Sequence, residues 1–291
     1  EAAISIVRDN ALKANMIDWR VAPEKLRRQT SAARKPSDAY PAIEELLSML
    51  EDGHSFFMSR DAAQQHVIMA GPSSTPVVKL LDDRVGYVLI PGFIGRNEEA
   101  ASKFSAMVIR DIRRTTTTAA VNGWIVDLRN NQGGNMWPML SALKPFLGNG
   151  ELGSFRDRQG ASRAWIVDRD EDDVFIDLTH MRVAVLLGGK TSSSGEAVAV
   201  AFHGRSNTRS FGQPTAGLST SNTTYPLPDG SQILLTTAVD ADRNGVEFDG
   251  GLEPDEPTPA ADEKCDPTLD AAIAWLLNNG SPVLTKHKCE N

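Results

Sequence analysis

Three consecutive serines, Ser192 to Ser194, lie in the stretch TSSSGE, between the apolar run MRVAVLLGG and the small-residue run AVAVAF. The first run predicts a buried strand, and the second predicts a helix that begins near Ser194. A serine at this junction would lie beside the free N–H groups of the first helical turn, which can stabilise an oxyanion. The pattern is equally typical of serines that cap a helix, so the segment alone leaves both interpretations open.

A serine hydroxyl needs a base to act as a nucleophile at neutral pH. Histidine is the commonest base, and the chain contains five histidines. His54, in the segment EDGHSFF, follows a predicted helix directly and is the best candidate by position. Lys190, shortly before the serines, is an alternative, although a lysine at a strand end is usually solvated.

The composition is that of an ordinary globular protein of 291 residues, with 41% hydrophobic and 23% charged residues. This length suits one large domain or two closely joined ones. The net charge of −8 argues against nucleic acid or an anionic membrane as the main partner. No apolar run reaches the roughly 18 residues of a membrane-spanning helix, so we expect no integral membrane segment.

The two cysteines, Cys265 and Cys289, flank a predicted helix near the C-terminus. They are either two unrelated thiols or a disulfide, and we favour the disulfide, which would fix the C-terminal tail. Disulfides persist mainly in oxidising compartments. Together with the first residues EAAISIV, which are typical of a processed N-terminus, this pair predicts an exported protein, periplasmic or secreted.

Strands and helices alternate from residue 85 onward. The strand-like runs are VGYVLIPGF, VNGWIVDLRNN and RVAVLLGG, and the helical patterns are residues 97–114, MWPMLSALKPFLG and SSGEAVAVAFHG. Short connections between them predict an α/β fold, a mostly parallel sheet with flanking helices. Residues 1–51 have helical patterns of their own. A hairpin is predicted over 223–239 and a closing helix over 266–278, with Asp266 as its N-cap.

Three polar, glycine-containing loops follow predicted strands: DLRNNQGGN, GGKTSSSGE and GQPTAGLSTS. In open parallel sheets, ligands bind beyond the carboxyl ends of the strands. We therefore expect these loops to form the functional site.

The ordered set EDGHSFF, VGYVLIPGF, IVDLRNNQGGN, VAVLLGGKTSSSGEAVAVAF, GQPTAGL, LPDGS and GLEPD resembles the S41 serine peptidases over roughly residues 40–260. These peptidases include the C-terminal processing proteases, the tricorn core protease and the interphotoreceptor retinoid-binding modules. The resemblance implies a ClpP/crotonase-like α/β fold with an N-terminal helical subdomain. The expected parts are a helical subdomain (1–57), a connecting segment (58–84), a catalytic domain (85–262) and a C-terminal helix with its tail (263–291).

The resemblance also implies which serine reacts. The family's nucleophile is followed by any residue, then Ser or Gly, then an acidic residue, which here selects Ser193 and ends at Glu196. The backbone N–H of Ser194 would be one oxyanion donor, and that of Gly133 or Gly134 the other.

The base that the processing proteases use is a lysine 25 residues after the serine, where this chain has Leu218. A leucine cannot accept a proton. The resemblance is therefore to the histidine-using branch typified by tricorn, with His54 as the general base. A glutamate before the G-x-x-P-D segment would orient the imidazole. We assign this role to Glu247, with Asp249 as the alternative.

We expect a serine endopeptidase that forms an acyl-enzyme and hydrolyses a peptide or protein substrate without a metal or organic cofactor. About 30 residues separate HSFF from VGYV, too few for a PDZ domain of typical size. Two alternatives remain at this point: a binding protein on the same fold, and an esterase or amidase acting on small molecules. The sequence does not predict the oligomeric state.

Overall fold

A computed structural model describes residues 1–68, 71–167 and 176–278. The chain divides into two compact units, which we call unit 1 and unit 2. Unit 1 combines Glu1–Met69, Phe155–Arg163 and Thr220–Val239, and unit 2 combines Ala70–Ser154, Ala164–Ser219 and Asp240–Asn291.

The helices are named in chain order. They are α1 (Ala2–Asn10), α2 (Ala22–Gln29), α3 (Tyr40–Ser48), α4 (Arg60–Ile68), α5 (Glu98–Thr118), α6 (Met136–Leu147), α7 (Ser194–Phe202) and α8 (Pro267–Leu277), with short 3₁₀ helices at Ala14–Met16 and Pro36–Ala39.

The strands are named in the same way. They are β1 (Phe56–Met58), β2 (Gly71–Pro72), β3 (Val77–Leu81), β4 (Val85–Leu89), β5 (Phe93–Ile94), β6 (Gly123–Asp127), β7 (Glu151–Asp157), β8 (Ser162–Ile166), β9 (Val183–Leu187), β10 (Thr208–Gly212), β11 (Thr220–Pro226), β12 (Gln232–Asp242), β13 (Glu247–Phe248) and β14 (Glu256–Pro257).

Unit 2 is built on a sheet in the order β14-β10-β9-β6-β4-β3. Strands β10, β9, β6 and β4 pair in parallel, and β3 pairs with β4 antiparallel. The central strands β6 and β9 are buried along their whole length, which explains why they read as continuous apolar runs. The predicted mostly parallel sheet is confirmed.

Helices cover both faces of this sheet. Trp275 and Leu276 of α8 pack in one apolar cluster with sheet residues such as Ile125 and Leu186. Trp124 points to the opposite face, where its ring lies 5.4 Å from that of Phe146 in α6. The sheet is therefore a rigid platform for the loops at its ends.

Side-chain caps fix where the unit 2 helices begin. Asn97 accepts a hydrogen bond from the N–H of Ala100 at the start of α5, and Asn135 does so from Trp137 at the start of α6. In the same way, the predicted N-cap Asp266 accepts from the N–H of Leu269 at the start of α8. None of the described helices is both long and apolar enough to cross a membrane.

Unit 1 packs α1, α2 and α3 against the hairpin of β11 and β12. Its core includes Val7, Leu26, Leu46 and Leu50 from the helical part and Ile233 from β12, all buried. Strand β1 pairs antiparallel with β12 over Phe56–Met58. The predicted N-terminal helices and the predicted hairpin are confirmed.

The two units cut across the predicted domain boundaries. Residues 220–239, expected in the catalytic domain, group with the N-terminal helices, because β12 pairs with β1 and contributes to the core of unit 1. Strand β3 lies in the expected connecting segment, yet it pairs with β4 over five residues and so extends the unit 2 sheet. The hairpin of β7 and β8 was not predicted.

Candidate active site

The three polar loops of unit 2 follow the parallel strands β6, β9 and β10, so they lie at one edge of the sheet, as predicted. Backbone hydrogen bonds join them. The N–H of Ser192 donates to the carbonyl of Asn131 at 3.0 Å, and the N–H of Ala216 donates to that of Thr191 at 2.9 Å. The buried hydroxyl of Thr191 donates to the carbonyl of Leu128 at 2.9 Å.

Ser193 has a strained backbone conformation, with φ 53° and ψ −125°, directly before the first residue of α7. Residues other than glycine rarely adopt a positive φ, and such strain concentrates at functional sites. A serine on a sharp turn between a strand and a helix is also the arrangement of hydrolase nucleophiles. The backbone thus distinguishes Ser193 from an ordinary helix cap.

Glu196 is fully buried in the first turn of α7 and holds this turn in place. Its Oε2 accepts hydrogen bonds from the N–H groups of Ser193 and Leu218, both at 2.8 Å. Its Oε1 accepts from the hydroxyl of Thr215 at 2.5 Å and from the N–H of Gly217 at 2.9 Å. One carboxylate therefore fastens the serine loop to the loop after β10, including Leu218.

The GLEPD segment, residues 251–255, contacts the loop after β10 at Thr215, one of the residues that bind Glu196. Leu252 and Thr215 form two hydrogen bonds: the N–H of Leu252 donates to Oγ1 of Thr215 at 2.8 Å, and the N–H of Thr215 donates to the carbonyl of Leu252 at 3.1 Å. Because Oγ1 of Thr215 in turn donates to Glu196, the segment orients a hydroxyl that solvates the buried carboxylate.

Asp240 is a second buried carboxyl group in unit 2, with 1% of its surface exposed. Neither of its side-chain oxygens has a hydrogen-bond partner among the described residues. Burial raises its pKa well above the usual value, and the charge of Glu196 raises it further. Both effects favour the protonated form of Asp240.

The loop after β6 lies against the serine loop through its glycines. A Cβ on Gly133 would come within 2.9 Å of Cβ of Ser193, and one on Gly134 would come within 2.1 Å of the carbonyl oxygen of Phe93. Both glycines also have a positive φ. The hydroxyl of Ser194 donates to the carbonyl of Gly134 at 2.6 Å, which joins the two loops directly.

The backbone N–H groups of the loop after β6 and of the serine loop differ in whether a protein acceptor already binds them. That of Gly133 donates to Oδ1 of Asn131 at 2.9 Å. Those of Ser194 and Gly134 donate to no protein acceptor among the described residues. Ser194 is the first residue of α7, where an intrahelical acceptor is lacking by geometry.

His54 lies in unit 1, in a turn held by Asp52. Oδ1 of Asp52 accepts from the N–H groups of His54 and Ser55 at 3.0 Å and 2.8 Å, and its Oδ2 accepts from the hydroxyl of Ser55 at 2.5 Å. Oγ of Ser55 in turn accepts from the N–H of Thr236 on β12 at 2.9 Å. The turn is thus fixed to the hairpin of unit 1.

The imidazole of His54 is 9% exposed. Its Nδ1 lies 2.7 Å from Oγ1 of Thr220 on β11, and its backbone carbonyl accepts from Nδ2 of Asn222 at 2.8 Å. Burial lowers the pKa of the imidazole, and the opposing effect of the Asp52 carboxylate is smaller. The neutral form, which a general base requires, is therefore favoured.

Glu247 lies on β13 in unit 2, and its side chain is exposed. Its role as the partner of the imidazole stays a prediction, as does that of Asp249. The partner that Nδ1 of His54 has within unit 1 is Thr220, which the sequence did not suggest. Cys265 precedes α8, but Cys289 lies outside the described residues, so the disulfide also stays a prediction.

Residues 84–258, more than half of the chain, match the model of peptidase family S41. The chain belongs to this family, and so to a class of hydrolases that act on peptide bonds. The nisin-resistance protein of Lactococcus lactis subsp. lactis is 28% identical over 272 residues, which are 89% of this chain and 80% of that protein.

Carboxyl-terminal-processing proteases are also similar, but the match covers a smaller part of their length. The chloroplastic carboxyl-terminal-processing peptidase 2 of Arabidopsis thaliana is 28% identical over 203 residues, 68% of this chain but only 37% of that protein. Among solved structures, a lipoprotein from Streptococcus agalactiae has the same fold, with a TM-score of 0.82 at 24% identity and coverage of 96% of this chain and 94% of that one.

Sequence reasoning missed three residues of these sites. Glu196 was noted only as the acidic position of a motif, although it binds two loops together. Asn131 was not noted, although its side chain occupies the N–H of Gly133. Thr220 lies in the loop GQPTAGLSTS, which was expected to belong to the functional site, but no role was assigned to this residue.

Proposed function

We propose that this chain is a serine endopeptidase in which Ser193 is the nucleophile and His54 the general base. Oγ of Ser193 attacks the carbonyl carbon of the scissile bond while Nε2 of His54 takes the hydroxyl proton. The C–N bond then breaks, and the imidazolium returns the proton to the leaving amine. Water then attacks the acyl carbonyl carbon as His54 takes a proton from it, the C–Oγ bond of the acyl-enzyme breaks, and the proton returns to Oγ of Ser193.

The observation that carries this proposal is the strained backbone of Ser193 at the start of α7. A strained serine between a buried strand and a helix presents its hydroxyl beside N–H groups that have no intrahelical partner. The N–H groups of Ser194 and Gly134 are the proposed oxyanion donors. Gly133 is the weaker candidate, because its N–H already donates to Asn131.

The base is supported by the properties of His54 itself. Its ring is nearly buried and its pKa is lowered, so the nitrogen that accepts the proton is neutral near pH 7. The position of the family's lysine is Leu218, which cannot act as a base. Because Nδ1 of His54 already pairs with Thr220, Glu247, or its alternative Asp249, would act as an orienting acid only through that hydroxyl.

A fluorophosphonate probe, followed by peptide mapping, tests the nucleophile. We expect Ser193→Ala to abolish labelling and peptide hydrolysis. Ser192→Ala is the matched control, because the hydrogen bond of Ser192 described above uses its backbone N–H and survives the change. Labelling of the Ser193→Ala protein at an unchanged rate would refute the assignment.

The base is tested by the same probe on His54→Ala, with the exposed His180→Ala as control. We expect labelling to slow by a factor of about 10² to 10⁴, the usual contribution of a general base. Labelling without hydrolysis across a broad peptide library would favour an esterase or amidase. Peptide binding without labelling or hydrolysis would favour a binding protein.

A second candidate function is cleavage of an antimicrobial peptide. The observation that favours it is the extent of the match: the nisin-resistance protein is matched over 80% of its length, against 37% for the processing peptidase. Parallel assays with nisin and with a linear peptide that ends in a free carboxylate would separate the two. Cleavage of nisin alone supports the second candidate, and cleavage of the linear peptide alone contradicts it.

An exported location is proposed on the basis of the predicted disulfide between Cys265 and Cys289. Intact mass after alkylation in denaturant, with and without a reductant, tests the disulfide. We expect alkylation of two thiols only after reduction. Alkylation of both thiols without a reductant would contradict the disulfide and remove this support for export.

A further inference from the structure

The imidazole of His54 is held by a neutral hydroxyl. Its Nδ1 lies 2.7 Å from Oγ1 of Thr220, a distance at which one of the two groups must donate a hydrogen bond to the other. In a neutral imidazole, one ring nitrogen carries a proton and the other has a free lone pair. The partner of Nδ1 therefore influences which nitrogen can act as a base.

The backbone on both sides of this contact is fixed within unit 1. Asn222, two residues after Thr220 on β11, donates from Nδ2 to the carbonyl of His54 at 2.8 Å, and its Oδ1 accepts from the hydroxyl of Thr236 at 3.0 Å. Residues two apart on a strand share a face, so Thr220 and Asn222 bind the ring and the backbone of His54 from one surface. Asp52 holds the N–H of His54 at 3.0 Å.

The hairpin has an irregularity at this point. The register between β11 and β12 shifts between Ser221 and Asn222, where β12 has one extra residue, Thr237, so β12 has a bulge opposite the residues that contact His54. Bulges commonly redirect side chains next to functional sites. Together, these contacts fix the backbone of His54 and the orientation of its imidazole.

We propose that Thr220 is a positioning residue that accepts a hydrogen bond from the Nδ1–H of His54 and thereby leaves Nε2 as the basic nitrogen. The inference rests on the proposed role of His54 as the general base. A carboxylate at Nδ1 would favour the imidazolium, whereas a hydroxyl orients the ring without adding charge. The lowered pKa of His54 agrees with a neutral partner.

Thr220→Val tests this role, because valine keeps the shape of threonine and removes the hydroxyl. We expect the rate of fluorophosphonate labelling at Ser193 to fall at least about tenfold, since a base in the wrong tautomer is ineffective. Thr220→Ser should restore most of the rate. Thr223→Val is the matched control: Thr223 is also on β11, and its hydroxyl pairs with that of Thr237 at 2.9 Å, away from His54.

Nitrogen NMR of isotope-labelled histidine gives a readout that does not depend on turnover. In the unmodified protein, we expect the proton of neutral His54 on Nδ1. In Thr220→Val, we expect the Nε2–H tautomer to increase, with no such change in Thr223→Val. An unchanged tautomer in Thr220→Val, or a proton on Nε2 in the unmodified protein, would overturn the inference. If His54→Ala labels at the normal rate, the proposed base fails instead.

Discussion

At the scale of single residues, Glu196 is as important as the serine it supports. Its four hydrogen bonds are all accepted, from two loops, so its carboxylate is fully solvated by the protein although it is buried. One of these bonds fixes the N–H of Ser193, whose backbone conformation is unfavourable in itself. The carboxylate therefore stabilises the strained turn that presents Ser193, the proposed nucleophile.

Glu196→Gln should destabilise the protein and slow the reaction. Each oxygen of Glu196 accepts two hydrogen bonds. Glutamine has an NH₂ group in place of one oxygen, so two of the four protein donors would face another donor. We expect the free energy of unfolding to fall by about 1–3 kcal/mol for each donor left unsatisfied. Denaturant unfolding and the labelling rate at Ser193 measure the two effects. The exposed Glu253→Gln is the control, and equal stability of the two variants would argue against this role.

If His54 is the general base, as proposed, its pKa sets the acid limit of activity. Because burial lowers this pKa below its usual value near 6.5, the base stays neutral to a lower pH than a solvated histidine would. Activity should reach half of its maximum at a pH below 6.5 and level off as the pH rises further. The pH profile of the labelling rate measures this limit.

Asp52→Asn adds an internal check on that profile. The Asp52 carboxylate raises the pKa of His54, and asparagine keeps the oxygen that accepts the backbone N–H groups while removing the charge. The acid limit should therefore move to still lower pH. A half-maximum at or above pH 6.5 in the unmodified protein would contradict the role of burial.

The candidate site was predictable only in part at this scale. The position of Ser193 at a junction of strand and helix was predictable because the strand, the turn and the helix around it are continuous in sequence. Thr220 was not, because it lies 166 residues from His54 and the contact depends on the pairing of β11 with β12. Hydrogen bonds between distant polar residues leave no periodic signal in the sequence.

At the scale of elements, the loop after β6 can pack closely against its neighbours because its glycines have no Cβ. Gly134 combines a φ of +108° with a position where a Cβ would lie 2.1 Å from the carbonyl oxygen of Phe93. The N–H of Asn135 donates to that same carbonyl at 2.6 Å. The loop therefore cannot move away from Phe93 without losing a hydrogen bond at the start of α6.

Gly134→Ala should reduce activity beyond the effect of backbone strain alone. Gly160→Ala is the matched control, because Gly160 also has a positive φ but a Cβ added there would meet no atom within 4 Å. We expect about 1 kcal/mol of destabilisation for the control and clearly more for Gly134→Ala, with loss of labelling at Ser193. Thermal unfolding and the probe assay measure both. Equal effects of the two changes would show that the contact with Phe93 is unimportant.

Most elements were predictable from local signals. The cap at Asp266 and the alternation of buried strands with helices identified α8 and the parallel sheet. The hairpin of β7 and β8 was missed because β8 is exposed at every position except Trp165, so its sequence lacks the apolar alternation of a half-buried strand. Strand β3 was missed as part of the sheet because it lies at the edge.

At the scale of the whole molecule, the compact units do not correspond to continuous stretches of the sequence. Unit 1 is assembled from three separate segments, and residues 220–239 join the N-terminal helices through β1 and the shared core. A motif order read along the chain places His54 and Thr220 in different expected domains. The fold places both in one unit, which is why the support of the imidazole could be recognised only from the structure.

Asp240 should make the stability of the molecule depend on pH. In the unfolded chain its carboxyl ionises near pH 4, whereas in the folded protein burial keeps it protonated to a much higher pH. Between these two pKa values the folded state binds more protons than the unfolded state, so stability falls as the pH rises. Asp240→Asn cannot ionise, and its stability relative to the unmodified protein should increase as the pH rises above about 4. Calorimetric melting temperatures at several pH values measure this trend. The exposed Asp83→Asn is the control. A pH-independent difference for Asp240→Asn would mean that Asp240 is charged in the folded protein.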